Sequence, residues 1–154
     1  MNADIAHMRE ALTEAQAAAD AGEVPIGAIA VLDGEIVGRG QNRVLRDTDP
    51  TAHAEIVAMR AAARAVANYR LIECELFVTL EPCAMCAGAM IHARLKRLVY
   101  GAGDPKAGAA GSVLQVLNHP RLNHQMAITA GVLEEECGGL LREFFRQRRL
   151  DNQT

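Results

Sequence analysis

The sequence predicts an α/β sandwich, on three observations. Apolar residues recur at helical spacing in its opening segment, branched apolar runs of strand length follow, and the two kinds of segment alternate to the end of the chain. The 154 residues, 50% of them hydrophobic and 23% charged, have the composition of a globular protein, and residues 1–154 are expected to form a single domain. A chain of this length buries roughly 70% of the surface it exposes when unfolded, so a core can form without disulfides.

Ile5, Met8, Leu12 and Ala15 mark an amphipathic first helix, which Gly22 ends by readily taking the left-handed conformation. Ile26 to Leu32 reads as a strand, and Asp33-Gly34 is a two-residue hairpin signal into a second strand over Glu35 to Gly40. Asp49-Pro50 offers an N-cap and a first-turn proline for a helix over Ala52 to Ala67. That helix would hold His53 and Glu55 in its opening turn. Glu75 to Leu80 is a short buried strand, broken by Glu81-Pro82, and Cys83 to Ala93 a third helix. Arg97 to Tyr100 and Met126 to Thr129 are the remaining strands, and Glu134 to Arg149 is a terminal helix. Gly101 to Ser112, with four glycines, reads as a flexible loop; it lacks the spacing of a phosphate-binding loop, so no nucleotide cofactor is expected.

Chemistry concentrates in His53-Ala54-Glu55 and Pro82-Cys83-Ala84-Met85-Cys86. Cysteines three apart on a helix lie on one face and can grip one ion. A helix start presents a positive dipole end, which favours the thiolate that a metal requires. Two positions apart, His53 and Glu55 would diverge on an ideal helix, but first-turn side chains lean toward the N-terminus and can converge beyond it. Two thiolates and a neutral imidazole balance one Zn2+ per chain and fill three of four tetrahedral positions, leaving the last for water. Glu55 is then the proton carrier. Two other readings compete: a redox Cys-x-x-Cys pair, and a structural zinc whose fourth ligand would be Cys74, Cys137 or His92. Apart from this constellation, Cys74 and Cys137 read as core thiols, and Asn42 as a turn residue at a strand end.

The net charge of −3 does not advertise a nucleic-acid binder, but Arg142, Arg146, Arg148 and Arg149 crowd the terminal helix beside Phe144 and Phe145. No apolar run approaches the roughly 18 residues of a membrane span, and the N-terminus lacks the pattern of a signal peptide, so a cytoplasmic protein without a membrane partner is expected.

The His-x-Glu and Pro-Cys-x-x-Cys pairing is the signature of zinc nucleobase deaminases, so the match is a resemblance and not a derivation. Glu23-Val24-Pro25-Ile26-Gly27-Ala28, Thr79 to Cys83, Asp104 to Ser112 and Asn118 to His124 are more specific. From Pro25 to about Arg149 the chain resembles the bacterial tRNA-specific adenosine deaminases, within the cytidine deaminase-like fold. The resemblance implies a three-layer α/β/α sandwich around a five-stranded mixed sheet, usually as a homodimer. It implies zinc on His53, Cys83 and Cys86, with Glu55 as the catalytic proton shuttle. It also implies that Asn42 bonds the flipped base, that the Ala54 backbone and the Ile26 side chain line its pocket, that Asp104 meets the ribose, and that Phe145 and Arg148 contact RNA. The expected reaction is hydrolysis of adenosine to inosine at the wobble position of a tRNA anticodon loop. A free-base deaminase acting on guanine or cytosine, and a non-catalytic zinc-bearing RNA-binding module, are the alternatives.

Overall fold

In the computed structural model, which describes residues 2–152, helix α1 (Asn2–Asp20) leads into the hairpin of β1 (Gly27–Leu32) and β2 (Glu35–Gln41). Asp33 and Gly34 take φ of 51° and 79°, the paired positive values that a tight hairpin turn needs. Helix α2 (Ala54–Val66), β3 (Cys74–Leu80), α3 (Ala84–Ala93), β4 (Arg97–Ala102), β5 (Ala127–Ala130) and α4 (Glu134–Asn152) follow.

The five strands form one mixed sheet in the order β2-β1-β3-β4-β5. β1 is antiparallel to both neighbours, and β3, β4 and β5 are mutually parallel. Alternation along each strand sorts side chains into two cores. Ala28, Ala30, Leu76, Val78 and Leu98 pack with α2 and α3, whereas Ile29, Val31, Phe77 and Val99 pack with Met8 and Ala11 of α1 and Cys137 of α4. Full burial of each large apolar side chain contributes roughly 1.5–3 kcal/mol. The result is the expected three-layer sandwich.

Pairing of Gly27 with Gln41, Ala28 with Val78 and Leu80 with Ala102 brings the start of β1 and the ends of β2, β3 and β4 to one edge of the sheet. That edge carries the starts of α2 and α3. α2 begins at Ala54 and not at Ala52, because Asp49 does not cap it: its carboxylate accepts the Thr51 N–H and hydroxyl, each at 2.8 Å, in a local turn. Arg43 N–H then bonds Ala52 O at 2.9 Å, which holds Ala52 outside the helix and leaves His53 as the N-cap.

Two glycines set the height of α2. A Cβ at Gly40 would stand 2.2 Å from Ala54 O and 2.5 Å from Ala58 N, and one at Gly38 would stand 2.4 Å from Ala58 O. The Ala54, Ala58 and Ala62 face thus lies directly on strand backbone. Gly40→Ala is expected to destabilise the protein by about 1–3 kcal/mol through overpacking. Gly139→Ala, in α4 with its nearest neighbour a flexible Arg142 atom at 3.7 Å, should be neutral or stabilising by up to about 1 kcal/mol. Denaturant unfolding of both variants checks the contrast, and equal effects would refute the close-approach account.

Candidate active site

Cys83 takes an extended conformation (φ −78°, ψ 176°) as the N-cap of α3, directly after β3, and His53 does the same for α2 (φ −72°, ψ 153°). The two caps face each other across the sheet edge. His53 Nδ1 lies 3.6 Å from Cys83 Sγ and 3.5 Å from Cys86 Sγ, and the three ligand atoms are all within 4.8 Å of one another. A tetrahedral ion at about 2.3 Å from sulfur and about 2.0 Å from nitrogen would separate N and S by about 3.5 Å, so this donor set fits a metal without rearrangement. Among the described residues no fourth His, Cys, Asp or Glu joins the group. Cys74 and Cys137 are buried free thiols, and burial pushes Cys137 up to about 12.

The electrostatics suit a cation. Bonds to Cys86 and to His53 hold the Cys83 thiol down to about 3, and no acidic residue occupies the first turn of α3 to oppose its dipole. Cys86 is pushed up because its hydrogen serves the Cys83 sulfur. Its hydrogen bond with Cys83 also raises His53, which has Glu55 nearby. Glu55, only 4% exposed, is raised to about 7, chiefly by burial. Its carboxyl lies against Cys86.

Ile26 and Asn42 meet at the same edge, where Asn42 N–H bonds Ile26 O at 3.1 Å. Asn42 is 6% exposed, and its Oδ1 is a buried acceptor without a partner among the described residues. Such an atom costs about 1–3 kcal/mol unless something donates to it. Ala54 contributes the first N–H of α2, which has no acceptor within the helix.

Asp104 follows β4 and caps its own loop, its Oδ1 accepting the N–H groups of Lys106 (3.0 Å) and Ala107 (3.2 Å). It shares a cleft of about 660 Å³ with Phe145, which is 44% exposed. Arg148 stands further along α4, donating to Gly22 O at 3.2 Å and lying 4.7 Å over the Phe144 ring. Sequence features thus converge for seven residues, while Phe145 and Arg148 form a separate patch bordering Asp104.

Two buried carboxylates at this edge, Glu23 and Glu81, have no role assigned from the sequence. Glu23, 0% exposed, accepts the N–H groups of Leu45 (3.1 Å) and Arg46 (2.8 Å) and Arg46 Nε (3.1 Å), while Arg46 Nη2 reaches Asn42 O at 2.6 Å. Glu81 binds the loop after β4, so the segment expected to be flexible is pinned. Glycine content signals a loop, but only the fold supplies a carboxylate to anchor it. The one sequence signal was each glutamate's place in a motif beside apolar residues.

Residues 1–149 match the family model described as MafB19-like deaminase. The chain is 48% identical over 151 residues to the tRNA-specific adenosine deaminase of Bacillus subtilis, covering 97% of this chain and 92% of that protein. It is 50% identical over 143 residues to the enzyme of the same name from Haemophilus influenzae, covering 92% and 83%. A solved structure described as a tRNA:A34 deaminase performing A-to-I editing superposes with a TM-score of 0.85 at 45% identity, covering 88% of this chain and 98% of that one. Fold and site together define a deaminase with a metal-binding group at the sheet edge. More narrowly, the chain belongs to the family of tRNA-specific adenosine deaminases. No helix among the described residues is long and apolar enough to cross a membrane.

The Glu23 contacts make stability depend on pH. Burial alone would raise its pKa, but the bonds from Arg46 and Leu45 outweigh it and hold the carboxyl below the usual value. A depressed folded-state pKa stabilises the protein above the unfolded value of about 4.3, and this contribution is lost as pH falls through the lower folded value. Glu23→Gln should therefore be about 1–3 kcal/mol less stable than wild type at pH 7. The gap should narrow below about pH 4. Denaturant melts across pH check this, and a gap constant with pH would refute it.

Proposed function

We propose that the chain hydrolyses adenosine to inosine at the wobble position of a tRNA anticodon, releasing ammonia, and that it acts in the cytoplasm. The observation that carries this reading is the buried Glu55 carboxyl beside a three-donor group at two helix starts, in a chain of this family. The metal is proposed to be zinc, one per chain, held by His53, Cys83 and Cys86. When bound, zinc would supply Lewis acidity that lowers the pKa of water to near neutrality.

Glu55 moves the protons. Its carboxylate takes one from the attacking water and delivers it to the ring nitrogen next to the reacting carbon. The same carboxyl then carries the proton of the new hydroxyl to the amine, which leaves as ammonia when the carbon–nitrogen bond breaks. A carboxyl near pKa 7 can accept and release protons at neutral pH. Asn42 offers its unpartnered Oδ1 and its amide hydrogens to the base edge, so only an extruded base with matching groups satisfies it. Ile26 and the Ala54 N–H complete the pocket, and Asp104, with Oδ2 left over from its turn, faces the ribose. Two copies are proposed to pair through the α2–α3 face, where Met59, Ala63 and Ala89 line an apolar groove; sedimentation should then give twice the chain mass.

Purified protein kept reduced should carry one zinc and create inosine in total tRNA, read after digestion to nucleosides. Glu55→Ala should keep its zinc and lose about 10²–10⁴-fold in kcat. Normal turnover by that variant would remove Glu55 from the mechanism, and metal-free, active wild type would remove the zinc.

Phe145 and Arg148 are proposed to meet the RNA flanking the target, with Arg149, which lines a cleft with Lys106. Aromatic rings beside guanidinium groups suit splayed bases and phosphates. Replacing Arg148 and Arg149 by Gln should weaken tRNA binding and flatten the slope of log affinity against log salt by about 0.7 per lost contact. Arg148 also ties α4 to the end of α1, so the melting temperature is measured alongside. Unchanged slope and affinity would leave these arginines with a packing role alone.

A further inference from the structure

The loop between β4 and β5 is exposed from Gly103 to Ala107 except for half-buried Asp104, yet it keeps a defined course over the candidate site. One buried side chain ties it down at several points. Glu81, 2% exposed, stands two residues before Cys83 and directs its carboxylate into the loop. Oε1 accepts the Asp104 N–H at 3.0 Å and the Ser112 hydroxyl in a short hydrogen bond. Oε2 accepts the N–H groups of Ala110 (2.9 Å) and Ser112 (3.1 Å). The backbone adds Glu81 N–H to Ala102 O and Ala109 N–H to Pro82 O, each at 2.8 Å. Gly108 lies so close that a Cβ there would stand 2.4 Å from the carboxylate.

We propose that Glu81 is a positioning residue for the substrate: it places the loop carrying Asp104 and Lys106 relative to the His53, Cys83 and Cys86 group, on the reading that this site takes a tRNA. Only an ionised carboxylate offers two oxygens that each accept two donors; a glutamine offers one oxygen and turns its NH2 toward N–H groups. The exposed stretch has no buried apolar side chain of its own to anchor it, so its place follows these bonds. From Asp104 the course passes on through its own turn to Lys106 and Ala107. Asp104, Lys106 and Phe145 then border one cleft, whose shape depends on where Glu81 holds the loop.

Contacts made by this loop lie away from the reacting carbon, so they act on bound substrate and transition state alike, and their loss appears in KM more than in kcat. The test uses zinc-loaded enzyme and an anticodon stem-loop RNA, with kcat, KM, zinc content and melting temperature measured together. Glu81→Gln is expected to keep one zinc and raise KM about tenfold, with kcat changed by less than about threefold. Glu81→Asp, which retains both oxygens, should recover part of that loss. If Glu81→Gln fails to fold, Ser112→Ala carries the test and should raise KM about two- to threefold. A folded Glu81→Gln, or in its place Ser112→Ala, with wild-type KM would overturn the proposal. So would a kcat that falls in step with zinc content, since Glu81 would then serve Cys83 and not the loop. Wild-type enzyme that makes no inosine in the stem-loop would instead overturn the substrate reading on which the proposal rests.

Discussion

The contact of α2 on the glycine backbone of β2 sets the geometry on which the site depends. With hydrogen in place of Cβ at Gly38 and Gly40, the helix settles onto the strand through Ala54, Ala58 and Ala62. Any larger residue at this contact would lift the helix by a fraction of an ångström or more, and packed interiors transmit such shifts. Because His53 caps that same helix, its imidazole is positioned by the small-residue contact one turn away. The α3 start is placed separately, by its direct link to β3 through Glu81 and Pro82. Donor atoms from two helices reach tetrahedral spacing because both helices are referenced to one sheet.

That spacing has an energetic cost that the fold absorbs. A buried carboxyl at Glu55 and a buried amide oxygen at Asn42 without a donor both oppose folding. They persist because the two apolar cores around Leu76, Phe77, Val78, Leu98 and Val99 supply far more burial than these groups cost. Both groups are poor for stability and stand at the site: burial raises the Glu55 carboxyl to about 7, and Asn42 Oδ1 has no donor among the described residues.

Glu23 and Glu81 solve one problem in the same way at opposite sides of the site. Each is a buried carboxylate whose desolvation is offset by several N–H bonds from an adjoining loop, and in each case those bonds prevail, keeping the carboxyl ionised. One orders the segment after Asn42, the other the segment after β4. Irregular backbone beside a pocket is thereby given the definition that a strand or helix would otherwise provide.

By itself the sequence determined the element order, the hairpin at Asp33-Gly34, and the identities of His53, Glu55, Cys83 and Cys86 as a chemical group. The first two follow from local rules, periodicity and turn conformation, which act over a few residues; the chemical group follows from ligand type and from the resemblance carried by its two motifs. Tertiary structure alone decided that α2 begins at Ala54, that the glycine-rich loop is pinned, that Arg148 is engaged with Gly22 and Phe144, and that β5 lies parallel beside β4. The last three depend on partners far away in the chain, whereas the α2 start depends on Asp49 and Arg43 close by. Arg43 competes for the Ala52 carbonyl, Glu81 collects donors 23 to 31 residues onward, and Arg148 finds a carbonyl 126 residues back. No local propensity encodes such a partner, because it exists only once the sheet has brought distant segments to the same edge.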